Sequence, residues 1–274
     1  MTATVGRTGG AATVANVMRR AFLAGFADYR EIFTWKSWLL GWYLRVLAQV
    51  SFFALIGRYI GSEDATFYLL VGNSLLLAAQ TGIFSLNMTT AERWAGTLPL
   101  LVASPSSPVI VFASRGSYLA VDGALTALGA LFVAGPIFDM PLPWPSVLLV
   151  IPLTGLVAWA SYCFGTLLAG IVFRFREVNS LVVNTTYVAM MAACGVNVPL
   201  DYYPRALEIA SHFLPLTNGL VAIRGVLEGA PAGEILGYAA LETAVGAAWL
   251  TVALLTFNRL AERGRIDGSL DYGA

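Results

Sequence analysis

Three ionisable side chains, Arg45, Asp122 and Glu242, lie inside long apolar stretches of the chain. Placing such a group at the centre of a bilayer costs at least about 2.5 kcal/mol on insertion scales, so each is expected to face protein or water. Two roles are open to them. One is contact with a transported molecule. The other, which we prefer, is structural, with Arg45 paired to an acid or each group reaching toward the headgroups. Catalysis fits less well, because an enzyme site gathers acids, histidines or a nucleophile around a cavity, whereas Asp122 and Glu242 are scattered along the sequence. No catalytic residue is assigned.

His212 is the only histidine. That excludes metal sites built on several histidines within one chain, H-E-x-x-H included, and no metal ligands are assigned. Cys163 and Cys194 fall in or at the end of apolar stretches and read as small packing residues. A P-loop needs G-x-x-x-x-G-K-[ST], but Lys36 is the only lysine and residues 30–35 before it contain no glycine. Any ATP used with this protein must be hydrolysed by another chain. Uncharged polar residues in apolar stretches, namely Gln49, Asn73, Asn184, Thr185 and Thr186, either line a path or hold helices together.

The elements that must position these residues follow from composition. The 274-residue chain is 58% hydrophobic and 12% charged, with a mean hydropathy of +0.73. A crossing helix needs about 20 mainly apolar residues, and six stretches qualify: Leu39–Ile60, Phe67–Met88, Ser117–Phe138, Val147–Phe173, Leu181–Val198 and Ile235–Phe257. They lack the ten-residue alternation of barrel strands. The expected fold is an all-α membrane protein of six spans, a single transmembrane domain over residues 1–274.

Six spans put both termini on one side, which then holds Arg7, Arg19, Arg20, Arg30, Lys36, Arg93, Arg115, Arg174, Arg176, Arg259, Arg263 and Arg265. The other side holds Arg58, Arg205 and Arg224. Twelve basic residues against three place both termini in the cytoplasm of a cell inner or plasma membrane by the positive-inside rule. The first apolar run starts late for a signal peptide. Before it, Val14, Met18, Phe22, Phe26, Tyr29 and Phe33 recur every three or four residues, which predicts an interfacial amphipathic helix over residues 11–34. Trp35, Trp38 and Trp42 mark its headgroup level.

Between the second and third spans, residues 89–115 form a compact charged cytoplasmic loop. Between the fifth and sixth, residues 199–230 carry Pro204, suited to a helix's first turn, and Pro215, which breaks the following helix. Arg205, Glu208, Arg224 and Glu228 interrupt the apolar run, so two short external re-entrant helices fit better than another span.

These segments carry a family resemblance. Glu92-Arg93-Trp94-Ala95-Gly96-Thr97-Leu98 followed by Pro105 resembles the E-x-x-x-G-T-L…P loop after the second span of type-2 ABC transporter permeases. Gly195-Val196-Asn197-Val198-Pro199-Leu200, Pro204, Pro215-Leu216-Thr217 and Arg224-Gly225 are similar to the external signature of that family. Arg174-Phe175-Arg176-Glu177 resembles its charged turn before the fifth span. The resemblance implies a homodimer or pseudo-dimer of permeases on two separate ABC ATPase subunits, which bind ATP and Mg. It also implies that Arg19 and Arg20 of the interfacial helix, with Glu92, Arg93, Gly96, Thr97, Leu98, Pro105, Arg174, Arg176 and Glu177, couple the permease to those ATPases.

The expected function is the membrane subunit of an ABC exporter that moves an amphiphile, a drug-like natural product or lipid, and the resemblance is nearest to antibiotic-resistance exporters. The alternative is export of a lipid-linked polysaccharide through an aromatic tunnel at Trp35, Trp38, Tyr43, Phe52 and Phe53. Less favoured are a membrane-embedded lipid-modifying enzyme and a non-transporting scaffold or immunity protein. The formal charge is zero, and the arginines follow sidedness rather than a patch, so no nucleic-acid partner is expected.

Overall fold

The computed structural model describes residues 10–32, 34–87, 108–174 and 178–267. Among them every regular element is helical: α1 (Gly10–Ile32), α2 (Leu44–Ile60), α3 (Glu63–Ile83), α4 (Pro108–Arg115), α5 (Tyr118–Ile137), α6 (Val150–Arg174), α7 (Asn179–Ala193), α8 (Arg205–Ser211), α9 (Thr217–Glu228) and α10 (Ala232–Asp267). A π-helical turn, Trp38–Tyr43, leads into α2, and short 3-10 turns cover Phe84–Leu86, Ser146–Leu149 and Leu200–Tyr202.

The centre of the bundle is α3, which packs against α2, α5 and α6. Its start is well specified, because Gly61 closes α2 in a left-handed conformation at φ 77° and the Ser62 hydroxyl accepts the Ala65 N–H at 3.1 Å. Leu70, Leu75, Leu76 and Leu77 are fully buried. Close approach to α6 depends on Gly82: a β-carbon there would lie 2.8 Å from the Tyr162 nitrogen and 2.9 Å from the Ala158 oxygen. Small residues therefore let two backbones meet where lipid supplies no hydrophobic drive between helices.

Five helical stretches are long and apolar enough to cross a membrane: Trp35–Ile60, Glu63–Leu86, Ile110–Ile137, Ser146–Gly170 and Ala232–Thr256. They match five of the six predicted spans. The other, predicted over Leu181–Val198, is the 15-residue α7, which stops at Ala193. At 1.5 Å per residue it covers roughly 22 Å, against about 30 Å of hydrocarbon. It stops early because residues 194–198 leave the helix, with Gly195 at φ 72°, and the freed carbonyls have other partners, described below.

The predicted N-terminal helix is present as α1, with part of its apolar stripe left on the open face. Ala21 and Gly25 are buried against the α4 side, whereas Val14, Met18 and Phe26 stay exposed. Small residues make the close approach, Tyr29 of the predicted stripe joins the seat at Asp122 and Tyr118, and Val14, Met18 and Phe26 are left for another environment. Phe33 lies outside the described residues.

Candidate functional site

Glu92, Arg93, Gly96, Thr97, Leu98, Pro105, Arg176 and Glu177 lie outside the described residues, as does the side chain of Arg174 at the end of α6. Arg19 and Arg20 are exposed on α1. What the structure does place is the framework into which the 88–107 segment feeds. Gly25 of α1 lies directly on the Arg115 main chain at the end of α4. Arg115 also forms an ion pair with Asp28. One helical turn into α5, Asp122 Oδ1 accepts two hydrogen bonds, from the Tyr29 hydroxyl at 2.8 Å and from Trp38 Nε1 at 3.1 Å.

Asp122 is thus a junction for α1, α5 and the π-helical entry to α2. The Tyr29 ring packs 4.9 Å from that of Tyr118. Burial, reinforced by the neighbouring Asp122 carboxylate, pushes the Tyr29 phenol well above its ordinary pKa. The hydroxyl therefore remains a donor at any physiological pH. The α1 helix is tied at its C-terminal half to the elbow between α4 and α5.

The remaining polar residues divide into ties and free groups. Gln49 Nε2 donates to the Tyr187 hydroxyl at 2.8 Å, tying α2 to α7. Asn73, fully buried, donates to Asn197 Oδ1 at 2.9 Å and to the Leu69 carbonyl. The first bond joins two helices, and the second ties α3 to the non-helical 194–198 segment. Asn184 bonds the Ser180 carbonyl within its own helix, and Asn184 and Thr185 are exposed while Thr186 is half-buried. Arg45 is exposed and stacks over the Trp42 ring, 4.6 Å from its centroid. Among the described residues it pairs with no acid, so the expected carboxylate partner is replaced by an aromatic face.

The external signature is a second junction. Arg224 of α9 is 7% exposed, and its guanidinium donates to the main-chain carbonyls of Gly195 at 2.8 Å, Tyr68 at 2.9 Å and Val196 at 3.2 Å. It also lies 3.3 Å from the centroid of the Tyr68 ring. The Tyr68 hydroxyl donates to the Gly195 carbonyl at 2.6 Å. Gly195 tolerates its positive φ because it has no β-carbon. Beyond the end of α7 the carbonyls of Gly195 and Val196 go to Arg224 and Tyr68, while that of Ala192, in the last turn of α7, accepts the Tyr203 hydroxyl at 2.6 Å.

At the other end of α9, Glu242 of α10 is fully buried and accepts the main-chain N–H groups of Leu216 and Gly219. Pro199 begins the Leu200–Tyr202 turn and Pro204 sits at the start of α8. Pro215, whose carbonyl receives the Cys194 thiol at 3.9 Å, precedes α9, and Thr217 opens it, fully buried. His212 Nδ1 and Asn218 Oδ1 lie 2.7 Å apart, and Asn218 Nδ2 donates to the His212 carbonyl. The lone histidine is structural.

Sequence reasoning did not single out Tyr68 or the Asp28–Arg115 pair, and it grouped Trp38 with the headgroup markers. No spacing marks them, since their partners lie far away in sequence.

The chain belongs to the ABC-2 type transporter family, whose model matches residues 29–227. It is therefore a multi-pass membrane protein and the permease component of a transporter, a component that works with an ABC ATPase. No curated protein matches the chain.

Proposed function

We propose that this permease is part of an ATP-driven exporter that moves an amphiphilic molecule, a drug-like natural product or a lipid, out of the cytoplasm or inner leaflet. Two companion ATPase subunits bind ATP and Mg, and a second permease copy completes the path. The observation that carries the reading is the seat of α1 on the α4–α5 elbow through Asp28–Arg115 and Tyr29–Asp122. It gives an ATPase docked on α1 and on the E-x-x-x-G-T-L loop one rigid element to push. The path of that push runs through Asp122 into α5 and, by Trp38, into α2.

Six crossings fit the same geometry, and the twelve-to-three bias of basic residues supports cytoplasmic termini. The α7 segment begins where Asn179 bonds Asn87, at the end of α3, and closes where Gly195 meets Tyr68, near the start of α3. Those two α3 positions are 19 residues apart, roughly 28 Å along the helix, which is nearly the hydrocarbon thickness. On this reading α7 with residues 194–198 makes the fifth crossing. Glu242 lies ten residues into α10, roughly 15 Å from its start, and reaches Leu216, which supports a re-entrant path for residues 199–230.

The polysaccharide alternative relied on a tunnel of aromatic residues. Trp38 is engaged with Asp122, and Tyr43 stacks on Trp38 while covering Gly129 of α5, which favours the amphiphile. The test is co-expression of the chain with a partner ABC ATPase, purification of the complex and reconstitution into vesicles. ATP-dependent export of a fluorescent amphiphile is expected. A chain that binds no ATPase, or a complex that hydrolyses ATP without moving any amphiphile, would overturn the proposal.

A further inference from the structure

We propose that the end of the bundle bearing the α2–α3 and α5–α6 connections holds a binding site for a zwitterionic phospholipid whose headgroup carries a primary amine. A cleft of about 310 Å³ opens there, at the lower end of the size range of small-ligand sites. Its lining is layered. Phe67, Phe138 and Met140 supply apolar surface, while Arg58, Glu63 and Asp139 supply charge.

The charges are poorly explained as stabilising elements. Arg58 Nη2 lies 3.3 Å from Asp139 Oδ2, with the two side chains 60% and 80% exposed, and an ion pair that open contributes little. Asp139 also takes a positive φ of 58°, a conformation that glycine adopts more cheaply. Aspartate is one of the few residues besides glycine that visit this conformation, and here it sets a carboxylate beside Arg58 at the rim of the cleft.

The complementary ligand has a phosphate for Arg58, an N–H-bearing ammonium for Asp139 and Glu63, and a hydrocarbon chain for the apolar lining. Charge-assisted hydrogen bonds to both headgroup ions would distinguish it from lipids lacking either. The site does not depend on the ATPase or on transport, so its test is separate from that of the proposed function.

The experiment uses the full chain, purified and delipidated in detergent, titrated with short-chain phosphatidylethanolamine, phosphatidylcholine and phosphatidylglycerol and followed by native mass spectrometry. Saturable binding of one phosphatidylethanolamine per chain is expected, with weaker binding of the other two lipids. Arg58→Gln and Asp139→Asn should each weaken it about tenfold, the loss expected for a hydrogen bond to a charged group. Asparagine also tolerates positive φ, so Asp139→Asn preserves the turn. Arg205→Gln, in the exposed pair with Glu208 on α8, should bind as wild type. Equal binding of the three lipids, or wild-type affinity in both rim variants, overturns the proposal. Saturation by phosphoethanolamine alone at the same concentration would make the ligand a free solute and overturn the lipid assignment.

Discussion

Glu242 of α10 holds the first turn of α9 by its main chain, with Oε1 2.8 Å from the Leu216 nitrogen and Oε2 3.0 Å from that of Gly219. The first amides of a helix have no partner within it, and one buried without an acceptor costs free energy. A carboxylate satisfies two of them and opposes the positive end of the helix dipole. The bond also secures Leu216, which sits at φ 98°, a conformation unfavourable for a leucine. The acid that sequence reasoning weighed as a cargo contact has its oxygens engaged by the protein itself.

Glu242→Leu should therefore destabilise the fold by about 1–3 kcal/mol for each amide left without an acceptor. Glu242→Gln should cost less, since its carbonyl oxygen still accepts one of the two. Cys163 and Cys194 are both buried and free, so thermal unfolding can be followed with a thiol-reactive dye that reports their exposure. A leucine variant melting at the wild-type temperature would show that the cap contributes nothing.

Arg224 gives a parallel expectation at the other end of α9. Its guanidinium reaches three carbonyls in different directions, which a lysine ammonium on a flexible stem does not reproduce. Arg224→Lys should loosen the 194–198 segment, and Tyr68→Phe, which removes one hydroxyl donor, should cost about 0.5–1.5 kcal/mol. Native-state labelling of Cys194, next to Gly195, reads this directly. It should accelerate in the lysine variant and less so in Tyr68→Phe; unchanged rates in both would remove the clamp.

Both junctions show where the sequence is mute. Runs of apolar residues announce their own burial, so five long helices, the presence of α1 ahead of them and the proline-bounded α8 and α9 were all legible. Arg224 and Glu242 bond main-chain atoms, which every residue possesses, and nothing in a sequence marks which carbonyl or amide they will meet. Asn73 and Asn197 pair across 124 positions, and neither is unusual in its local setting. The length of α7 was misjudged for a different reason: the apolar run of residues 194–198 was given more weight than Gly195, which takes a left-handed φ of 72°, and Pro199, both ordinary helix-stop signals.

The membrane sidedness we propose, argued from the distribution of basic residues, is open to direct chemistry. Because Cys163 and Cys194 are buried, background labelling should be low. Cysteines placed at Ser62 and Ala232 should react with an impermeant maleimide added to intact cells, and one at Ser106 should react only after permeabilisation. Labelling of Ser106→Cys in intact cells with silence at the other two would invert the topology.

Asp122 yields the sharpest expectation about mechanism, because two donors from different elements converge on one of its oxygens. Asp122→Asn keeps an acceptor for Tyr29 and Trp38, whereas Asp122→Leu leaves both donors without one. If the junction carries movement from α1 and α4 into α5 and α2, the leucine variant should assemble with the ATPase and hydrolyse ATP while exporting poorly, and asparagine should restore much of the export. Glu92→Ala, one step earlier in the same route, should lose roughly 1.5–3 kcal/mol of ATPase contact if it accepts a hydrogen bond there, and should uncouple in the same sense. Paired export and ATPase rates in reconstituted vesicles distinguish this from simple misfolding, which lowers both together and is not rescued by asparagine. Wild-type export in Asp122→Leu would mean that α1 is anchored by this residue without driving anything through it.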